Sequence, residues 1–431
     1  MRKKHFLFAS VLALLCGSST LHAQDFKLTS SGYFKNQGVD VMAFDDIYPE
    51  GHQGGVCIIM NGHRVATNGD IRLEATPGQW QPVPKQLDRK LGDNSITATL
   101  CYPDSSRHLT GFNPMIYPDL HLIYTVNVES KGKNIEVTVD LDRPIPQEFI
   151  GKVGFNLEFF PGSLFGKPWI MDGQSGIFPQ QPNSPLMTTQ PNYLHTGNYH
   201  DGKKSLADMD KLIGKGYSPI VADDIISEPY AKGTKFTSRP DDPYNKVTIE
   251  SLSGDLQLFD GRMNHNNGWF VLRSNIKPGV TKGAVKWIIT PNVVADWMYQ
   301  PVIQTSQIGY HPTQDKEAVI EMDIRDNRKE TAQIIRIDAD GEKVVKNVTP
   351  ANWGKFLRYN YLKVNFTDVK EPGLYKIKYN TSVSPIFRID NDVYARGVWQ
   401  PVLEYFLPVQ MCHMRVNEKY RVWHDCCHMD D

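Results

Sequence analysis

The residues whose types and spacing could do chemistry are two Cys-His dipeptides near the end of the chain, Cys412-His413 and Cys427-His428. Two thiolates and two imidazoles are a sufficient ligand set for tetrahedral zinc, which prefers sulfur and nitrogen donors. The intervening residues 414–426 are long enough for the chain to loop back and bring the dipeptides together. Because four protein ligands leave no open position for water, the pattern predicts a structural zinc rather than a catalytic one.

The same residues permit other arrangements. A disulfide between Cys412 and Cys427 is open to an exported chain, since oxidising compartments allow such bonds. Cys426 and His424 lie close enough in sequence to replace a neighbouring ligand. Zinc is the favoured interpretation, and these alternatives stay open at the level of sequence.

A second kind of candidate site lies in the aromatic-rich stretches of residues 24–300. Trp169 is followed closely by Asp172 and Gln174. An exposed indole face stacks on the apolar C–H face of a pyranose, and a nearby polar side chain fixes the orientation of the sugar. Trp169, Asp172 and Gln174 are therefore candidate carbohydrate-binding residues. The competing interpretation is that such rings fill the core, as large aromatic side chains usually do.

The first residues are typical of an export signal. Residues 1–5 are positively charged, residues 6–15 form an apolar run, and Ala23 ends the segment with a small side chain. We predict a signal peptide over residues 1–23. This run is too short to span a bilayer and no later run is long enough, so no membrane span is predicted. The mature chain is expected to be secreted, and periplasmic or at the cell surface if the source is a diderm bacterium.

The composition is that of an ordinary globular protein. The hydrophobic fraction is 40% and the formal net charge is −1, so nothing indicates a nucleic-acid partner. Few cysteines remain after the signal, which argues against a disulfide scaffold. Cys57 and Cys101 lie in apolar contexts, which favours two core thiols over a disulfide between them.

The predicted fold class is mainly β, and residues 24–300 are predicted to form a large β-sandwich-like domain. Residues 131–134, Lys-Gly-Lys-Asn, indicate a hairpin turn between two alternating runs. Residues 161–242 are rich in Pro, Gly, Asn and Tyr, so we expect long loops with short elements there. The predicted strands of this domain are 56–60, 95–100, 122–128, 135–141, 153–160, 247–252, 269–273 and 284–289.

Residues 301–390 have the size and strand pattern of an immunoglobulin-like β-sandwich. The sequence Asp338-Ala-Asp-Gly341 predicts a hairpin turn. A calcium loop is disfavoured there because no downstream Glu completes the ligand set. The predicted strands of this domain are 318–322, 332–337, 362–366, 374–379 and 385–389.

Specific motifs in this second domain carry a family resemblance. They are Gln-Ile-Gly-Tyr-His-Pro at 307–312, Glu-Pro-Gly-Leu-Tyr at 371–375, and the exit Phe-Arg-Ile-Asp-Asn-Asp-Val-Tyr at 387–394. These motifs resemble the immunoglobulin-like module that precedes the catalytic barrel in many glycoside hydrolase family 9 enzymes, mostly endo-β-1,4-glucanases. The resemblance covers residues 301–431.

The resemblance implies that residues 391–431 are the truncated start of an (α/α)6 catalytic barrel. Residues 391–412 fit its first helix, because Val398, Val402 and Phe406 recur at helical spacing. Pro401 predicts a kink or a late start of that helix. Some family members hold a structural zinc near the start of the barrel with a Cys-His and Cys-His pattern, which agrees with the zinc predicted above.

The resemblance also implies inverting hydrolysis of a β-glucan polysaccharide or oligosaccharide. Inversion needs two carboxyl groups spaced to admit a water, and the family supplies them from a Trp-x-Asp-Ala-Gly-Asp motif and a distant Glu. The chain lacks that motif, and Asp430-Asp431 lacks its context. We therefore expect the N-terminal portion of an exported hydrolase, inactive alone. The alternatives are a non-catalytic carbohydrate-binding or scaffold module, and an unrelated exported zinc-binding protein.

Overall fold

The chain divides into two compact units, Met1–Trp297 and Met298–Asp431. No described helix is long and apolar enough to cross a membrane. The predicted signal peptide and the four predicted zinc ligands lie outside the described residues. The computed structural model describes residues 25–45, 54–74, 76–77, 83–104, 120–184, 186–188, 225–263, 268–395, 397–403, 416–418 and 421–423.

The described residues of the first unit form antiparallel strands in two nine-stranded sheets and one two-stranded sheet. Short 3-10 turns occur at Gln147–Phe149, Pro161–Ser163 and Gly261–Met263. The strands are β1 (Lys27–Leu28), β2 (Phe34–Asn36), β3 (Val39–Ala43), β4 (Val56–Met60), β5 (His63–Leu73), β6 (Lys85–Leu91), β7 (Ser95–Tyr102), β8 (Leu122–Lys131), β9 (Asn134–Leu141), β10 (Val153–Phe159), β11 (Pro168–Met171), β12 (Gln174–Ile177), β13 (Leu186–Thr188), β14 (Ile225–Ser227), β15 (Ala231–Gly233), β16 (Lys235–Ser238), β17 (Val247–Ser251), β18 (Leu256–Asp260), β19 (Phe270–Asn275) and β20 (Val285–Pro291).

The two large sheets face each other across one core. The first has the strand order β1-β2-β3-β4-β5-β10-β19-β18-β15, and the second β12-β11-β16-β17-β20-β9-β8-β7-β6. Strands β7 and β9 alternate buried and half-buried residues, as expected of a sheet with one face on a core. Phe155 of the first sheet meets Trp287 of the second edge to face, with ring centroids 5.0 Å apart.

Strand β10 differs from its neighbours because every one of its residues is buried. Phe155, Leu157 and Phe159 belong to the sandwich core. Asn156 and Glu158 alternate with them, so they lie on the opposite face of the sheet. The centre of the first sheet is therefore buried on both faces, and the second of these faces carries polar groups.

The strand predictions for this unit are confirmed in type and place, and so is the mainly β fold class. The predicted hairpin turn is confirmed as well, since Lys131 pairs with Asn134 and Gly132 takes a φ of +62°. Residues 161–242 were expected to be loops with short elements. Their described part supplies β11, β12 and β16, which extend the second sheet, and residues 189–224 lie outside the description.

The second unit is a smaller sandwich with its own core. Its sheets have the orders β21-β22-β26-β25 and β24-β23-β27-β28, with β29 also paired to β27 and β30 paired to β31. Asp338 pairs with Gly341, which confirms the predicted turn. The strands are β21 (Val302–Gln304), β22 (Glu317–Asp323), β23 (Ala332–Asp338), β24 (Gly341–Val348), β25 (Ala351–Phe356), β26 (Tyr359–Asn365), β27 (Gly373–Tyr379), β28 (Ser382–Val383), β29 (Phe387–Ile389), β30 (Val416–Glu418) and β31 (Arg421–Trp423).

The motif at 307–312 closes one end of this sandwich. The Tyr310 ring packs edge to face on Phe366 at 5.1 Å and on Phe387 at 5.3 Å. Its hydroxyl donates to the carbonyl oxygen of Glu317 at 3.0 Å. Gly309 has a φ of +107°, and a Cβ there would lie 2.3 Å from the carbonyl oxygen of Arg388. This close approach of two backbones explains the glycine before the tyrosine.

A helical segment follows the second sandwich at residues 399–403. Pro401 therefore lies in the first turn, where the missing backbone N–H costs little because it would have no partner in the helix. The helix predicted over residues 391–412 therefore does not begin at 391: of the two outcomes that Pro401 predicts, a kink or a late start, the structure shows the late start, and residues 404–412 lie outside the description.

Candidate functional site

Trp169, the aromatic member of the predicted carbohydrate site, lies in the core of the first unit. Its side chain is 6% exposed. The indole packs against the Tyr230 ring, with centroids 6.5 Å apart. It also covers Gly176 of the paired strand so closely that a Cβ there would lie 2.4 Å from Cζ2 of the indole. The contacts of this ring are therefore with the protein itself.

Asp172 lies in the turn between β11 and β12, Gln174 is the first residue of β12, and both side chains bond to the backbone. The Asp172 carboxylate accepts hydrogen bonds from the backbone N–H groups of Thr234 at 2.8 Å and Lys235 at 3.0 Å. Nε2 of Gln174 donates to the carbonyl oxygen of Lys232 at 2.6 Å. These bonds fasten the turn to residues 232–235, which run from β15 to the start of β16. Carbohydrate binding by Trp169, Asp172 and Gln174 stays a prediction, and the contacts described here give each a structural role.

The cysteines of the described chain are thiols. Cys57 is buried and its Sγ lies 3.1 Å from both the Gly54 carbonyl oxygen and Oγ1 of Thr67. Cys101 is also a thiol, so the preference for thiols over a disulfide between them is confirmed, but Cys101 is half-buried and only Cys57 is buried as predicted. Within the described ranges no group of three or more His, Cys, Asp or Glu side chains is placed to hold a metal ion.

A cluster of charged and amide side chains is buried on the outer face of the first sheet. The Arg273 guanidinium lies 3.3 Å from Oε1 of Glu74 and donates to Oδ1 of Asn156 at 2.9 Å. It also donates to the carbonyl oxygens of Glu74 at 3.0 Å and Lys152 at 2.7 Å. Nδ2 of Asn156 donates to Oε1 of Glu74 at 2.6 Å. Sequence patterns do not reveal this cluster, because its members come from the end of β5, from β10 and from β19, which are far apart in sequence.

Burial dominates the acid–base properties of this cluster. It raises the pKa of Glu74 to about 7, against the opposing charge of Arg273. Burial also raises the pKa of Asp70 to about 6, although Arg72 lies 3.8 Å away and the Tyr124 hydroxyl donates to its Oδ1 at 2.8 Å. Because the cluster ties three neighbouring strands together, its contacts are those of a structural element.

A second cluster, of one carboxylate and several aromatic side chains, lies on the outer face of the first sheet of the second unit. The register places Glu321 of β22 opposite Tyr361 of β26, and Tyr361 opposite Gly354 of β25. The alternating residues Ile320 and Leu362 belong to the core. Glu321 and Tyr361 therefore point away from the sandwich core.

Several aromatic rings surround Glu321 on that face. The hydroxyls of Tyr299 and Tyr361 donate to the two Glu321 carboxylate oxygens at 2.9 Å and 3.1 Å. The Trp353 ring stands perpendicular to Tyr361, with centroids 5.7 Å apart. Tyr359 lies 5.0 Å from Tyr299 and 6.2 Å from Tyr361. We call Tyr299, Trp353, Phe356, Tyr359 and Tyr361 the aromatic face.

A polar cleft lies beside the same edge strand and on its other side. Its volume is about 380 Å³, and its lining includes Asn327, Lys329, Asn352 and Lys355. The cations and amides there suit polar ligands. The Asn360 amide, also in the lining, is occupied by a 2.8 Å hydrogen bond to the Asp326 carbonyl oxygen.

Comparison with known families identifies the second sandwich. Residues 298–384 match the family model described as "Cellulase N-terminal ig-like domain". This segment is similar to the N-terminal immunoglobulin-like domain of cellulases. The motifs at 307–312 and 371–375 lie inside the matched range, so the cellulase-type module carries the family resemblance that the sequence motifs indicate.

The other comparisons add little to that assignment. A solved structure described as "Bacteroides ovatus GH9" is similar at 23% sequence identity and a TM-score of 0.21. The match covers 28% of this chain and 20% of that chain, so the aligned part spans about a fifth of the solved protein. No curated protein matches the chain.

Proposed function

We propose that the chain is the N-terminal portion of an exported family 9-type glycoside hydrolase that acts on β-glucan by inverting hydrolysis. The observation that carries the proposal is the cellulase-type module at residues 298–384. The helix that begins at residue 399 supports it, because the family's catalytic barrel starts with a helix directly after this module.

In this proposal the catalytic acid and base do not come from residues 1–431. Inverting hydrolysis needs an acid and a base on opposite sides of the sugar, separated far enough to admit a water. The family's Trp-x-Asp-Ala-Gly-Asp motif does not occur in the sequence. The 431-residue chain is therefore expected to release no reducing sugar from barley β-glucan or carboxymethylcellulose.

The test is to read the gene in frame beyond codon 431 and assay the longest product. Release of reducing sugar with the α-anomer formed first, followed by NMR, would support inverting hydrolysis of a β-glucan. The β-anomer as first product would refute inversion. A stop at codon 432, with binding but no hydrolysis, would favour the alternative of a non-catalytic carbohydrate-binding module.

Export and zinc complete the proposal. Cleavage after Ala23 is checked by N-terminal sequencing of the protein recovered outside the cytoplasm.

The donor set Cys412, His413, Cys427 and His428 is suited to a structural zinc. Metal analysis should find about one zinc per chain, which Cys412→Ser and Cys427→Ser remove. Oxidised thiols at both cysteines and no metal in the full-length product would establish the disulfide instead.

A further inference from the structure

The aromatic face of the second unit combines large exposed rings with fixed polar groups. Trp353 is 56% exposed and Phe356 is 57% exposed, whereas a core on the other side of the sheet already buries the apolar residues of the same strands. Folding of the sandwich therefore does not account for these two side chains. Large aromatic side chains at a surface commonly mark a binding site.

The local backbone directs the Trp353 indole onto this face. The register between β25 and β26 shifts between Asn352 and Gly354, so Trp353 is the extra residue of a β-bulge. Bulges bend a strand and re-aim a side chain. Gly354 follows with a φ of +124°, which residues with a side chain rarely adopt. The result is an indole held edge to face against Tyr361 with much of its surface in solvent.

Polar groups lie within the aromatic face and not only at its rim. The Glu321 carboxylate is held by the hydroxyls of Tyr299 and Tyr361, which leaves its other lone pairs available as acceptors. Farther along the same strands Lys363 donates to Glu317 at 2.8 Å. A protein partner would meet a carboxylate in the centre of its apolar contact, and burial of that charge is costly without a cation.

A sugar chain fits this distribution of groups better. Each pyranose has an apolar C–H face that stacks on an aromatic ring and a rim of hydroxyls that donate to a carboxylate. Such a ligand needs no counter-charge, because its hydroxyls are neutral donors. Trp353 and Phe356, which are 56% and 57% exposed, are the rings of the face that are open to such stacking.

We propose that the aromatic face is a polysaccharide-binding surface that takes a chain of β-linked glucose units. Trp353 stacks on one sugar ring, and Glu321 accepts hydrogen bonds from hydroxyls of the same chain. The identity of the polysaccharide as a β-glucan rests on the proposed function, whereas the binding surface rests on the geometry described here.

The experiment is affinity electrophoresis of the full chain in native gels that contain hydroxyethyl cellulose or barley β-glucan, with dextran, xylan and mannan as other polymers. Trp353→Ala should weaken retardation about tenfold, as loss of a central aromatic contact does. Glu321→Gln should weaken it less. Trp399→Ala is the matched control, because Trp399 is also 57% exposed and lies outside the aromatic face; it should bind like the parent. Circular dichroism spectra and thermal melts check that all variants are folded.

The outcomes separate this proposal from the proposed function. Retardation that survives Trp353→Ala, or no retardation by any polymer, overturns the binding surface whatever the activity of the longer product. Retardation by xylan or mannan alone, lost in Trp353→Ala, supports the surface and counts against a β-glucan as substrate. A dimer in gel filtration that Trp353→Ala abolishes, without polysaccharide binding, overturns the proposal in favour of contact between copies of the chain.

Discussion

Nη1 of Arg273 lies 3.3 Å from Oε1 of Glu74, although 199 positions separate the two residues in the chain. The pair joins β19 to the end of β5, and Asn156 of the intervening β10 bonds to both partners. Both side chains are almost fully buried. In such a site the charges depend on one another, because removal of one leaves the other without compensation.

The first prediction is that Arg273→Met destabilises the first unit by about 3–5 kcal/mol, since it breaks a buried pair and removes the buried guanidinium hydrogen bonds to Asn156 and to the carbonyl oxygens of Glu74 and Lys152. Lys282→Met is the control. Its amine lies 3.0 Å from Asp140 in a pair that is exposed on the lysine side, and such pairs contribute about 1 kcal/mol or less. Urea unfolding at pH 7 measures both. Similar losses in the two variants would contradict the importance of burial.

The second prediction is that the first unit becomes less stable as pH rises from about 4 to 7. The pKa values of Asp70 and Glu74 are raised to about 6 and about 7 by burial, from ordinary values of 3.8 and 4.5. Over this window the folded state holds more protons than the unfolded state, so the free energy of unfolding falls with rising pH. Above about pH 8, where Glu74 is ionised in both states, this contribution is constant.

Calorimetry at a series of pH values checks the window. Glu74→Gln should reduce the slope between pH 5 and 7, because the amide does not titrate, although it also lowers stability throughout by weakening the contact with Arg273. A slope unchanged in Glu74→Gln would assign the pH dependence to other groups.

The third prediction is an opposite dependence in the second unit. Partial burial alone would raise the pKa of Asp323, but hydrogen bonds from the Arg325 guanidinium and from the backbone N–H groups of Arg325 and Tyr299 lower it to about 2. The ionised Asp323 carboxylate therefore stabilises the folded unit above pH 4, and this stabilisation is lost as pH falls toward 2. Asp323→Asn should flatten this acid limb of the melting temperature. An unchanged limb would contradict the assignment.

The fourth prediction compares two of the glycines with strongly positive φ in the second unit. Gly309→Ala should destabilise it more than Gly341→Ala. Both have φ values that alanine rarely adopts, at +107° and +129°, which costs about 1–3 kcal/mol. A Cβ added at Gly309 would lie 2.3 Å from the carbonyl oxygen of Arg388, which is too close. A Cβ added at Gly341 would have no atom within 4 Å. Thermal melts measure the difference, and equal losses would refute the steric argument.

The fifth prediction is that residues 298–395 fold alone. Their core includes Ile320, Ile334 and Ile377, and it is a separate cluster from the core of the first unit. The expressed fragment should unfold in one cooperative transition with dispersed amide signals in NMR spectra. A fragment without cooperative unfolding would show that this core needs the rest of the chain.

The sequence predicts the strands that bury one face, and it does so for a physical reason. Alternation of apolar and polar residues in 122–128 or 135–141 reports a single core-facing side. Edge strands such as β24 and β25 carry mostly exposed residues, so periodicity does not mark them. Their assignment depends on partners that only the fold provides.

The site chemistry is less predictable than the strands. Trp169 has neighbours in sequence that suit a sugar, but its burial depends on Tyr230 and Gly176, which contact it only in the folded sheet. For the aromatic face, in contrast, the folded structure reveals a candidate site that the local sequence does not. Trp353 and Tyr361 gain significance only when the register places them beside Glu321. Local spacing cannot report a surface assembled from three strands.

The bulge at Asn352–Gly354 has a further consequence, because β25 is the last strand of its sheet. A regular edge strand offers a row of backbone donors and acceptors on which a foreign strand can grow into an amyloid-type ladder. The register shift breaks that row, and the exposed charge of Lys355 follows directly after it. The irregularity that turns an indole toward solvent thus also protects the rim of the sheet against strand-by-strand polymerisation.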